Sequence, residues 1–352
     1  MALTYFAKLQ PSGVDEAIEE DEKLSQATKE LLLSLPREKG WRTPYVYLFQ
    51  GFWCQPHEIQ AIITFQKHFQ AKDSDVLVAT VPKSGTTWLK ALTFATVNRH
   101  HFSSFTKNHP LLTFNPHDLV PFFEYTVYAQ NDDKVPDLSD MHEPRIFGTH
   151  VPFASLPSSI KEANCKVIYI CRNPFDTFLS SWIFIKKIKP GSLPALQLEE
   201  AFEMYCRGVI GFGPFWTHML GYWKESIERP NKVLFLMYED LKEDVTLQLK
   251  RVAEFLDCPF TLEEESSGVI DDIIKLCSFE KMKELEINKY GTFARNFENK
   301  YLFRKGEVGD SVNYLSPSMA EKLTKVIKEK LDGSGLSFRI NSTLVQVASD
   351  PR

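Results

Sequence analysis

The sequence predicts an α/β fold, a single domain with a central parallel sheet flanked by helices. Three observations carry this expectation. Residues 75–81, 166–171 and 233–238 read as short buried strands, each is followed by a helical pattern, and no Pro/Gly/Ser-rich linker divides the 352-residue chain. Strands that alternate with helices pair in parallel, and open parallel sheets bind ligands beyond the carboxyl ends of their strands. Lys83 and Arg172 each follow such an end, so their loops are expected to be neighbours. The expected organisation is an acidic, flexible arm at 1–35, the domain at 36–340 and a tail at 341–352. Within the arm, Asp15, Glu16, Glu19, Glu20, Asp21 and Glu22 form a run suited to solvent rather than to a core. Residues 199–229 read as mainly helical with a Gly-rich break at 208–214, and 316–331 as a late helix ended by Gly333.

Composition bounds the function classes. With 43% hydrophobic residues the chain has material for a large core. A net charge of −5 gives no basic field for nucleic acid, so any anion site must be a local cluster of Lys and Arg. The six cysteines, Cys54, Cys165, Cys171, Cys206, Cys258 and Cys277, include no Cys-x-x-Cys pair and read as reduced thiols. The first residues lack a signal pattern, and no apolar run approaches the ~18 residues of a membrane span, so the cytosol is the expected location. His100 and His101 are adjacent without Cys or carboxylate partners, which gives no metal-ligand spacing.

The first predicted strand runs into Lys83-Ser84-Gly85-Thr86-Thr87-Trp88 and then a helix. A helix opening after a buried strand presents unpaired backbone N–H groups and a positive dipole end, which suits an anion. Gly85 allows close backbone approach, Lys83 supplies a charge, and Thr86 and Thr87 supply hydroxyls. Trp88, Ala91, Leu92 and Ala95 form the helical stripe expected to pack on the sheet. The lysine precedes the glycine here, the reverse of a nucleoside-triphosphate P-loop. By itself the stretch also fits an ordinary strand-to-helix turn with a solvated lysine.

Two more sites have the right chemistry. Asn173 is placed to cap a helix beginning at Pro174, with Arg172 at the strand end and Phe175, Phe178, Leu179 and Trp182 as the core stripe. Ser180 lies five residues after Phe175, roughly 140° around the helix from it, so Arg172 and Ser180 can share one phosphate, although a surface arginine and a serine pointing into water fit the same pattern. Arg304-Lys305-Gly306 repeats the pairing of cations with glycine, although a solvated basic turn reads the same way. In Gly148-Thr-His150-Val-Pro152, the proline disfavours helix at Val151, so His150 ends an extended segment. A histidine there can serve as a general base or simply as a hydrogen-bonded structural residue.

Together these motifs resemble the cytosolic sulfotransferases that use 3′-phosphoadenosine 5′-phosphosulfate. The resemblance covers about residues 36–339 and rests on Val81-Pro-Lys-Ser-Gly-Thr-Thr-Trp88, Gly148-Thr-His-Val-Pro152, Ile170-Cys-Arg-Asn-Pro174, Tyr238-Glu-Asp240 and Phe303-Arg-Lys-Gly306. Residues 42–53 and 115–125 look further like the plant branch, most of all its hydroxyjasmonate sulfotransferases. The resemblance implies that the P-loop-like segment Lys83, Ser84, Gly85, Thr86, Thr87 and Trp88 holds the 5′-phosphosulfate. Lys83 would stabilise the leaving oxygen. Arg172, Ser180 and Arg304 would hold the 3′-phosphate. Tyr238, Cys277, Ser278 and Phe279 would border the adenine, Lys305 and Gly306 would complete the clamp, and His150 would deprotonate the acceptor. The implied product is adenosine 3′,5′-bisphosphate, with no metal, nucleic acid or membrane partner.

Two positions depart from the family. Animal members usually carry a lysine before the Thr-His pair, where this chain has Gly148, and Ser311 stands where a tryptophan usually follows Gly-Asp. The first departure leaves more work for Lys83; the second bears on the packing of the 304–310 lid. No clear dimerisation motif is present near the C-terminus, which leaves oligomeric state open. Phe52, Trp53, Phe122, Phe123, Tyr125 and Trp182 are candidates for an apolar acceptor pocket, each equally suited to core packing. Jasmonate-like, flavonoid, steroid and desulfoglucosinolate alcohols all fit such a pocket. A nucleotide kinase or a non-catalytic nucleotide-binding module are the competing classes; the first would show the Gly-Lys order, and the second has no need of His150.

Overall fold

The computed structural model describes residues 24–102, 105, 107–129, 135–294 and 297–339. The acidic run at 15–22 and the tail at 341–352 lie outside them. Of the expected arm, the described part is not free chain: a Ser25-capped helix, Gln26–Ser34, follows, and the Ser25 N–H donates to Gln60 at 2.7 Å. Strands β1 (Arg37–Lys39), β2 (Tyr45–Phe49) and β3 (Phe52–Cys54) then form an antiparallel sheet. Gln50 and Gly51, with φ of 50° and 85°, turn β2 into β3 with the left-handed pair that matches strand twist. This sheet has no counterpart among the expected strands.

The central sheet consists of β4 (Val76–Thr80), β5 (Ile146–Thr149), β6 (Lys166–Cys171) and β7 (Val233–Met237), all parallel, in the order β5-β4-β6-β7. β4, β6 and β7 fall on the predicted runs. All five residues of β4 are buried, because helices cover both faces and an alternating pattern would leave polar side chains inside. Chain order reverses across β4, which creates a crevice at the carboxyl ends. At the opposite ends a buried, two-pronged ion pair ties the strands: Arg145 donates to Asp75 at 2.7 and 2.6 Å. Removing either partner would strand a buried charge, at a cost of about 3–5 kcal/mol.

The helical break at 208–214 separates helices Leu198–Cys206 and Phe215–Glu228, and the late helix spans Pro317–Leu331 under a Ser316 cap. A short hairpin, β8 (Thr292–Phe293) with β9 (Phe297–Glu298), crosses above the sheet's carboxyl edge. The six thiols are free. No helix among the described residues is long and apolar enough to cross a membrane.

Candidate active site

Each of the four parallel strands delivers one functional side chain just past its carboxyl end: Lys83 after β4, His150 after β5, Arg172 after β6 and Tyr238 after β7. All four line one cavity of about 340 Å³, together with Gly85, Thr86, Thr87, Trp88, Ser180, Cys277, Ser278, Phe279, Arg304, Lys305 and Gly306. Ser84 does not line it. It lies buried beneath, its hydroxyl without a hydrogen-bond partner.

The 83–88 loop is shaped for an anion. Gly85 caps the helix Thr86–Val97 with φ of 106°, a conformation open to glycine, and a Cβ there would stand 2.7 Å from Tyr238. Lys83 holds φ of 69° without being glycine, a strained conformation at a functional loop. Its Nζ lies over the Phe184 ring, 3.8 Å from the centroid. Burial, with Arg304 and Arg172 nearby, lowers its pKa to about 7. Burial is the larger part of that shift, and the two arginines are themselves paired, Arg172 with Asp176 and Arg304 with Asp310. Trp88, expected on the packing stripe, instead faces the cavity edge-on to Tyr238 at 5.9 Å, and Leu89 takes the buried place.

Arg172 is buried, its guanidinium 4.6 Å from the Tyr238 ring centroid. One nitrogen, Nη2, bonds Asp176 at 3.1 Å and the Glu307 carbonyl, while its Nε donates to nothing. Ser180 is buried too, but faces the cavity. Arg304 and Lys305 both bond Asp310, the lysine at 2.6 Å. Burial opposes that carboxylate's charge, yet these two cations and Asn313 hold its pKa near about 2. The Tyr238 hydroxyl donates to the Gly306 carbonyl at 3.0 Å, and Phe279 sits where a Cβ on Gly306 would go, at 2.7 Å. The Ser278 hydroxyl caps the helix Phe279–Glu284, accepting from Lys281 N–H at 3.2 Å.

The missing tryptophan at 311 does not loosen the lid. Asp176 accepts from the backbone N–H groups of Gly309 at 2.7 Å and Ser311 at 3.0 Å, so main-chain donors, indifferent to side chain, hold the loop down. Nor is the region behind Gly148 short of a cation: Lys90, fully buried, fills the space where a side chain at 148 would project.

His150 is held on both sides of its backbone. Its N–H donates to Glu124 at 2.6 Å, and its carbonyl accepts from His218 Nε2 at 2.8 Å. Glu124 also accepts from Thr149 at 3.1 Å; burial raises its pKa to about 7 against the pull of these bonds and of Lys90. The His150 ring nitrogen Nδ1 is 2.8 Å from the Thr80 carbonyl, which can only accept, so Nδ1 carries the proton and Nε2 a lone pair. Burial, reinforced by Lys90, His218 and Lys83 and opposed by the Thr80 bond, lowers the pKa to about 3. The imidazole is therefore neutral throughout the physiological range.

Around it the cavity becomes aromatic: Phe122, Tyr125 and Phe212 lie 4.7, 6.0 and 5.5 Å from the His150 ring. Phe293 and Phe297 of the hairpin close this end. Only Phe122 and Tyr125 of the six aromatics suggested by sequence line it. Phe52 stands one layer back, stacked on Phe212, and Phe123 packs inward on Phe65 and Phe147. Trp53 and Trp182 lie outside, the indole of Trp182 bonded to the Leu196 carbonyl. One cation enters: Arg42, on the β1–β2 connection, rests on the Phe297 ring at 4.9 Å and bonds Gln55 through Nε and Nη2 at 3.1 and 2.8 Å.

Such a site suits group transfer, with a cationic cradle at one end and a neutral histidine among aromatic rings at the other. Residues 73–335 match the sulfotransferase domain family, and the chain belongs to that family. Cytosolic sulfotransferase 15 of Arabidopsis thaliana is 61% identical over 325 residues, 92% of this chain and 90% of that protein. Cytosolic sulfotransferase 14 of the same plant is 59% identical over 327 residues, 92% and 94% of the two chains. A crystal structure of an Arabidopsis thaliana sulphotransferase, 43% identical, aligns with a TM-score of 0.70 over 94% of this chain and 99% of its own. The chain is a sulfotransferase with the family's α/β fold.

Proposed function

We propose that this sulfotransferase moves a sulfuryl group from 3′-phosphoadenosine 5′-phosphosulfate to the hydroxyl of a small carboxylate-bearing alcohol, with 12-hydroxyjasmonate as the leading acceptor. The convergence of the four strand ends on one cavity carries the reading. One buried donor that lines the cavity, Arg172 Nε, has no protein partner among the described residues, which fits a phosphate oxygen as its partner. Arg172, Ser180 and Arg304 would take the 3′-phosphate, and the 83–88 cradle the 5′-phosphosulfate. Tyr238, Trp88, Cys277 and Phe279 would border the adenine, with Lys305 and Gly306 closing the clamp.

In the reaction, His150 Nε2 accepts the acceptor's hydroxyl proton while its oxygen forms a bond to sulfur. The bond from sulfur to the phosphate oxygen breaks, and Lys83 meets the charge gathering on that oxygen. Adenosine 3′,5′-bisphosphate leaves. A protonated Lys83 is required; its pKa of about 7 in the free protein rises when a polyanion lies beside it.

Arg42 supports the carboxylate. Its Nη1 has no protein acceptor among the described residues, and it stands at the aromatic end, where a second anionic group of the acceptor would fall. Location in the cytosol follows from the names of the two plant relatives and belongs to the same proposal. Transfer of ³⁵S from labelled donor to 12-hydroxyjasmonate, its methyl ester, a flavonol, a steroid alcohol and a desulfoglucosinolate tests it. The free acid should outrun its ester by about tenfold in kcat/KM, an ion-pair's worth, and Arg42→Met should erase the preference. Equal rates on acid and ester would remove the carboxylate from the proposal.

A further inference from the structure

Behind the cradle lies a row of polar groups outside the transfer scheme above. Lys90 is fully buried on the helix Thr86–Val97; its Nζ donates to the Val120 carbonyl at 2.8 Å and lies 3.2 Å from His117 Nδ1. It also rests on the Phe122 ring, 3.1 Å from the centroid. Gly148 makes this placement possible, because an ideal Cβ at 148 would stand 2.4 Å from Lys90 Cε and Nζ. His117 is buried as well, and its Nε2 is 3.0 Å from Thr87 Oγ1, on the wall of the cradle.

The bonding has a direction. The Val120 carbonyl only accepts, so Lys90 donates to it; burial lowers the Lys90 pKa well below its usual value, but charged or neutral the amine keeps a further N–H to give His117 Nδ1. Burial, with Lys90, His150 and Lys83 nearby, keeps His117 neutral by lowering its pKa well below the usual value. Its Nδ1 accepts from Lys90, so its single proton sits on Nε2 and is given to Thr87 Oγ1. The Thr87 hydroxyl has no other hydrogen-bond partner among the described residues. Its own proton is therefore free for the cavity it lines.

We propose that Lys90 and His117 are positioning residues that orient the Thr87 hydroxyl as a hydrogen-bond donor to the anion in the 83–88 cradle. This rests on the sulfuryl-transfer reading. Neither residue touches the reacting atoms; both act through Thr87. The arrangement is spread over three chain segments joined by Gly148, whose lack of a side chain is what admits the lysine.

Two measurements test the relay. In protein labelled with ¹⁵N-histidine, His117 should give the spectrum of an imidazole protonated at Nε2 and bare at Nδ1; the opposite tautomer would overturn the proposal without need of any variant. Second, affinity for adenosine 3′,5′-bisphosphate and kcat are compared across variants. His117→Leu and Thr87→Val should each lose about tenfold, the worth of one bond to a charged group, and the double variant should lose no more than either alone. His117→Gln, whose amide nitrogen reaches the place of Nε2, should recover most of the loss. Multiplying losses in the double variant would overturn the relay. Should wild-type protein fail to bind the bisphosphate at all, the sulfuryl-transfer reading falls; should it bind with His117 in the wrong tautomer, only the relay falls.

Discussion

At one end of the cavity Lys83, Arg172 and Arg304 crowd together until a lysine is pushed to about 7, while at the other Phe122, Tyr125 and Phe212 enclose a histidine pushed down to about 3. Burial is the largest cause in both, yet its consequence differs. At the cationic end it leaves Lys83 close to the balance between its charged and neutral forms, so binding of an anion and protonation would be coupled. At the aromatic end it keeps His150 neutral, the form that the proposed base needs. On the proposed reading one end holds the donor and the other takes a proton, and the sheet's carboxyl edge sets both in register.

Breaking the aromatic end should have the largest effect. His150→Ala is expected to leave nucleotide affinity intact while cutting transfer to an aliphatic alcohol by about 10²–10⁴, the range of general-base catalysis. With a nitrophenol, already partly ionised, the loss should be much smaller. Equal proportional losses on both acceptors, measured by initial rates, would mean that His150 orients the acceptor instead of deprotonating it. The wild-type rate should also lack an acid limb near pH 6.5, because His150 stays neutral down to about 3.

At the cationic end, Arg172→Ala should remove discrimination between nucleotides with and without a 3′-phosphate. A buried two-bond arginine contact gives roughly 2–3 kcal/mol, or 30- to 150-fold. Calorimetry that finds the same loss for both nucleotides would make Arg172 structural, a partner for Asp176 and the Tyr238 ring.

The smallest effect sharpens the contrast most. Lys83 is half deprotonated near pH 7 when free, and a bound polyanion raises its pKa, so binding must take up protons above pH 7. Affinity for adenosine 3′,5′-bisphosphate should fall up to about tenfold per pH unit above that value until the raised pKa is passed. Calorimetry at pH 8 in two buffers of different ionisation enthalpy should show proton uptake, absent in Lys83→Met. No uptake in the wild type would show that the lysine is already charged in the free protein.

The cationic end was legible because its parts are contiguous: a strand, a glycine turn and a helix start impose Lys83 to Trp88 as one readable unit, and Arg172 and Arg304 sit beside Asn173 and Gly306 with recognisable local roles. The sheet was legible for the same reason, except that β5, Ile146–Thr149, showed only as an extended segment ending at His150, too short to be assigned to the sheet. The aromatic end was legible only in His150, Phe122 and Tyr125; Phe212 and Phe293, the latter on β8, come from distant segments, and nothing in 27 phenylalanines marks which face a cavity. Asp176, Glu124 and His218 were missed for another reason. Each acts on backbone groups of a different segment, a relation that no local spacing records. Lys90 could have been suspected only from the glycine at 148, and then only with the helix already placed beside it.

Asp310 adds a consequence for turnover. It holds Arg304 and Lys305 in the structure, so if these cations bind phosphate as proposed they would exchange one oxygen partner for another. The gain on binding is the difference between two ion pairs, well short of the full value of either. The same carboxylate is on hand when the bisphosphate departs, so product can leave without abandoning bare charges in a half-dry cleft. A resident stand-in of this kind trades tightness for exchange, which suits a catalyst that must empty and refill the same nucleotide pocket at every cycle.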